Sequence, residues 1–174
     1  VCMNRILIFN ILRFIILIFL QVFLLKNMVF YNLNVPFLYI LFILLLPFET
    51  PNWLLFVLSF LLGITIDLFS DTLGLHAAAC TILALIRVFF INITVQKDNY
   101  DSDPEPTLGI MGFRWFFFYS LILTFFHHFF LFNLEVFKLA EILNTISRVL
   151  ISSLFTILLI FTTELLFYRK KQRK

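Results

Sequence analysis

The sequence predicts an all-α membrane protein, a polytopic bundle of about six transmembrane helices forming one integral membrane domain over residues 1–174, and three observations predict it. Of the 174 residues, 62% are hydrophobic and 13% are charged, whereas a soluble domain carries roughly a quarter charged residues. The apolar runs are long and uniform, without the alternation that marks barrel strands. They also recur near the length of roughly 20 residues that a helix needs to cross about 30 Å of hydrocarbon.

The first span, 6–25, holds Arg13 and Gln21 as its strongly polar interior residues. Arg13 interrupts the run and no small-residue cleavage site follows, so the segment is expected to remain as a membrane helix rather than leave as a signal peptide. The second span, 29–48, has an apolar stretch from Val35 to Phe48, with Pro36 in its first turn and Pro47 at its end. Glu49-Thr50-Pro51-Asn52 reads as a tight turn in which Thr50 caps the third span, 53–69, making spans two and three an antiparallel hairpin. The fourth span, 75–95, contains Cys80 and Arg87, and the loop 96–112 that follows is acidic and broken by prolines.

The fifth span, 113–133, carries His127 and His128. Leu134 to Leu143, with Glu135, Lys138 and Glu141 at helical spacing, reads as a short amphipathic surface helix. The sixth span, 144–168, contains Arg148, Ser152, Ser153, Thr156 and Glu164, and a basic tail, 169–174, ends the chain. An even number of spans places both termini on one side, and the tail marks that side as cytoplasmic. Loop 96–112 then lies inside and the turn Ser70 to Gly74 outside. Cys2 and Cys80 lie far apart and read as free thiols. The tail holds topology and touches the lipid bilayer; no nucleic-acid partner is expected.

Polar groups at membrane depth are costly unless partnered, so they are where function is sought. The stretch between spans three and four gathers Asp67, Asp71, Gly74, His76, Ala77, Ala78 and Ala79. Asp67 has two readings, a ligand or proton site, or a structural carboxylate that fixes the turn and pairs across the bundle; the structural one is preferred. At 1.5 Å of rise per residue, Arg148 is the partner at its depth, and Glu164 the one for Arg13 or Arg87. Asp71 and Gly74 read as turn chemistry, and His76 as a residue capping or lining the same turn. His127 and His128 point about 100° apart on a helix and are not expected to face one site, and a metal would require further ligands. Motifs for hydrolase, phosphate-loop or metal chemistry are missing, so the expectation is no enzyme, cofactor or metal. Small and hydroxyl residues let helices approach closely in lipid, which nominates Ala77, Ala78, Ala79 and Thr81, with Ser152, Ser153 and Thr156, as a surface for a partner's helix.

The order Leu45-Leu46-Pro47, Pro51-Asn52-Trp53-Leu54-Leu55, then Leu61 through Ala77, resembles the rod shape-determining protein MreD family, in its Bacteroidetes-type branch. Met111-Gly112-Phe113-Arg114-Trp115-Phe116, His127-His128 and Leu134-Glu135-Val136-Phe137 are similar to the same branch. The resemblance implies a non-enzymatic scaffold in the bacterial inner membrane that partners a bitopic MreC-like protein and, through it, MreB filaments, RodA and its transpeptidase during lateral peptidoglycan synthesis. It also implies a fold similar to the substrate-binding subunits of energy-coupling-factor vitamin transporters, and so an alternative, a small-molecule binding subunit of a transporter. Those subunits dock their partner through an Ala-xxx-Ala pattern on the first helix, and this first span has no alanine.

Overall fold

A computed structural model describes residues 2–25, 36–95, 105–136 and 142–168. Inside hydrocarbon a helix satisfies its own backbone polar groups, and the long apolar runs all take that solution. Helix α1 (Cys2–Phe19) passes into a π-helical stretch, Leu20–Leu25. A 3-10 turn, Leu38–Ile40, leads into the short α2 (Leu41–Leu44). There follow α3 (Asn52–Ser70), α4 (Leu75–Thr94), the short α5 (Leu108–Met111), α6 (Phe113–Val136) and α7 (Ile142–Leu166). Among the described residues there is no strand, and five stretches are long and apolar enough to cross a membrane: Ile8–Leu25, Asn52–Ser70, Leu75–Thr94, Phe113–Val136 and Leu143–Leu166. The chain is a multi-pass helical membrane protein.

The second predicted span differs. Its described part is not a spanning helix but a short central segment, Pro36 to Leu46, that is enclosed by the bundle; every residue from Leu38 to Leu46 is at most 5% exposed. Gln21 of the π-helical stretch touches Pro36 and Leu38, whereas Arg13 of α1, eight residues earlier, touches Leu45, so the segment runs antiparallel to the first helix over about 12 Å. Such irregular backbone is tolerated at membrane depth only where protein covers it. Hydropathy could not separate this segment from a lipid-facing span, because a buried core and a bilayer select the same side chains. At its end, Thr50 N–H donates to the Pro47 carbonyl (3.2 Å), and α3 begins after Pro51 with no side-chain cap, so the expected Thr50 cap is not formed.

Around the segment, α4 packs against both α3 and α6, and α7 against α6. The α3–α4 joint is the closest. A Cβ at Gly63 would lie 2.6 Å from Ala77 N and from the His76 carbonyl, so only glycine lets the two backbones meet there. The chain reverses with Asp71 at φ 56°, closing α3, and Gly74 at φ 79°, opening α4. Helix α6 runs on to Val136, absorbing the start of the predicted amphipathic helix. The remainder of that helix (137–141), the start of the second span (29–35), most of the acidic loop (96–104) and the basic tail lie outside the described residues.

Candidate functional site

The central segment carries backbone groups that its short helices cannot satisfy, and the polar side chains of the surrounding helices meet them in two layers. At its N-terminal end the free groups are mainly N–H donors. Leu38 N–H donates to Gln21 Oε1 (2.9 Å) and Phe37 N–H to Thr156 Oγ1 (3.0 Å), while Gln21 Nε2 donates to the Pro36 carbonyl (3.0 Å). At its C-terminal end the free groups are carbonyls, as at any helix terminus. Tyr119 Oη donates to Leu44 O (2.8 Å), Arg13 Nη1 to Leu45 O (3.2 Å) and Arg87 Nη2 to Leu46 O, with Arg87 Nε also donating to Tyr119 Oη (3.1 Å).

The first layer gathers three histidines. Tyr39, fully buried, places its hydroxyl 2.8 Å from His76 Nδ1 and 3.0 Å from His127 Nε2. A hydroxyl has one hydrogen, so Tyr39 donates to at most one of the two imidazoles and accepts from at least one. His127 Nδ1 has no partner among the described residues. His128 sits with Nδ1 2.8 Å from the Thr124 carbonyl and Nε2 3.1 Å from Thr156 Oγ1. The carbonyl can only accept, so His128 Nδ1 carries a proton. Phe37 packs against all three rings, at centroid distances of 5.5 Å (His76), 6.2 Å (His127) and 5.2 Å (His128). The pair His127–His128, expected to diverge, therefore shares one buried layer, because Phe37 and Tyr39 reach between them.

The second layer is charged. Arg13 Nη2 pairs with Glu105 Oε2 at 3.2 Å, and Glu164 Oε2 accepts from Leu108 N–H (2.9 Å), seating α5 against the bundle. Glu164 is thus not the hydrogen-bonded partner expected for Arg13 or Arg87; backbone carbonyls and Glu105 take that place. Between the layers lies an apolar tier, with Ile40 and Ile43 of the central segment, Leu83 of α4 and Leu123 of α6 all at 0% exposure. No hydrogen-bonded path among the described residues joins the histidines to the arginines.

Asp67 is a structural carboxylate, but not for Arg148. Its Oδ1 accepts from His76 N–H (3.0 Å) and from the Thr72 hydroxyl, and its Oδ2 accepts from Ala77 N–H (2.9 Å). The carboxylate of one helix thereby caps the first turn of the next, where Gly74 has no side chain to do so. Arg148 instead lies 3.4 Å from Glu135 and over the Phe132 ring at 4.7 Å. His76 turns inward to Tyr39 rather than capping its own turn. Ala77, Ala79, Ser152, Ser153 and Thr156 are buried within the chain, so most of the surface predicted for a partner is used internally; Ala78 and Thr81 keep partial exposure. The hydroxyls of Ser152, Ser153 and Thr124 have no partner among the described residues.

Above the histidine layer opens a cavity of about 160 Å³, lined by Phe37, Thr72, His76, Phe132, Glu135 and Arg148. It is smaller than the roughly 300–1,000 Å³ of sites for drug-sized ligands. No group of three or more His, Cys, Asp or Glu side chains positioned to hold a metal occurs among the described residues. Sequence reading missed Tyr39, Tyr119, Phe37 and Glu105. The signal for the first two was a phenol inside an otherwise aliphatic or aromatic run, where a buried hydroxyl needs a partner. Comparison with family models, curated proteins and solved structures found no match.

Proposed function

We propose that this chain is a non-enzymatic scaffold of the bacterial inner membrane, acting in the cell-elongation machinery as its resemblance to the MreD family implies. One observation supports this most: Gln21, Thr156, Tyr119, Arg13 and Arg87 are engaged in holding the central segment, and an apolar tier divides the two layers. Such an interior favours rigidity over passage of a solute. In this reading both termini and loop 96–112 are cytoplasmic, and the partner contributes a transmembrane helix that meets the lipid-facing surface. Ala78 and Thr81 are the members of the small-residue set available to it.

Purification from native membranes in mild detergent tests the proposal. A co-purifying bitopic MreC-like protein, with RodA and its transpeptidase, is the expected result, and Ala78→Phe is expected to reduce its recovery without loss of expression. Recovery of an ATPase module instead would replace this reading by the second one, a small-molecule binding subunit. The cavity beside His76 and His127 Nδ1, unpartnered among the described residues, favour that second reading. A retained small molecule would support it.

A further inference from the structure

At the end of the bundle that carries the arginine layer, a groove of about 620 Å³ runs between α4 and α6, lined chiefly by Phe90, Thr94, Phe113, Arg114, Trp115 and Phe118. Its walls are aromatic and its position is the helix ends, since α4 closes at Thr94 and α6 opens at Phe113. In a bilayer the ends of spanning helices lie at the headgroups, and the groove extends from there toward Ile122. Most polar groups nearby are already engaged: the Thr94 hydroxyl donates to the Phe90 carbonyl (2.8 Å), and Glu105 is paired with Arg13. Two are not. Among the described residues, Arg114 is exposed and forms no hydrogen bond or ion pair, and Trp115 Nε1 is buried without an acceptor, although its ring stacks on Tyr119 at 4.7 Å. Both are donors only, one of them cationic.

A donor-only polar mouth on an apolar trough matches a ligand that is acceptor-only at one end and hydrocarbon at the other. We infer that this groove binds an anionic phospholipid, its phosphate on Arg114 and one acyl chain along Phe90, Phe118 and Ile122. Charge complementarity selects the headgroup, and the aromatic wall accepts the chain. Two basic or aromatic neighbours alone would not choose between lipid classes; the unpaired guanidinium does.

The chain has two tryptophans, Trp53 and Trp115, so Trp53→Phe leaves Trp115 as the sole tryptophan reporter. Reconstituted in phosphatidylcholine vesicles, this variant is titrated with acyl-brominated phosphatidylglycerol or, separately, acyl-brominated phosphatidylcholine. Quenching of Trp115 is expected to favour the anionic lipid on the order of fivefold, the effect of one basic residue at a membrane surface. The preference is expected to vanish in Arg114→Gln, persist in Arg114→Lys and weaken at high salt. Equal quenching by both lipids would overturn the inference, leaving only bulk bilayer in the groove. So would a preference unchanged in Arg114→Gln, or no quenching by either lipid, which would leave the groove to a protein occupant.

Discussion

The two layers that hold the central segment solve the same problem with opposite chemistry. Where the segment begins, its donors are met by neutral acceptors, Gln21 and Thr156, in the company of Tyr39 and three histidines. Where it ends, its carbonyls are met by Tyr119 and two guanidinium groups. The difference follows from the backbone, because the end of a helix concentrates partial negative charge and favours cations. Asp67 completes the pattern, an anion placed at the start of α4. Charges sit in this bundle where helix ends ask for them, which is why they do not pair mainly with one another.

That contrast can be broken experimentally. Arg87→Leu should have the largest effect, lowering stability by about 3 kcal/mol, because it removes a charged hydrogen bond and leaves the Leu46 carbonyl unmet. Thermal unfolding in detergent, followed by circular dichroism, measures it; a loss under about 1 kcal/mol would show that the carbonyl cap matters little. Asp67→Ala should cost about 2–3 kcal/mol, since two backbone donors of α4 lose their acceptor, and Asp67→Asn should recover part of it. Equal losses for Asn and Ala would mean that the carboxylate acts otherwise than as a cap.

Smaller effects sharpen the comparison. Gly63→Ala should destabilise by about 1–3 kcal/mol, because the added methyl meets the backbone of His76 and Ala77. No change in this variant would show that the joint yields readily. On the neutral side, Gln21→Leu should cost about 1–2 kcal/mol, less than Arg87→Leu, as expected for uncharged hydrogen bonds. A reversal of that order would undo the contrast between the layers. Glu135→Gln, at a half-exposed pair 3.4 Å from Arg148, should fall within about 1 kcal/mol.

Composition and run length were enough to establish a helical membrane protein and to locate five of its spans, because the bilayer imposes length and apolarity on any helix exposed to it. The turn at Asp71 and Gly74 was legible for a similar reason, since left-handed backbone restricts which residues can stand there. The central segment was not legible, because its side chains are as apolar as those of a lipid-facing span and differ only in what covers them. Nor were the partners of the buried polar groups. Depth counted along single helices placed Arg148 beside Asp67 and Glu164 beside the arginines, but it took account only of side chains. Only the tertiary structure, by threading Pro36 to Leu46 through the bundle, supplied the unpaired backbone donors and carbonyls to which Gln21, Thr156, Arg13 and Arg87 are bound. Those groups belong to the main chain, identical in every residue but proline, so no pattern of side chains announces where they will stand unmet.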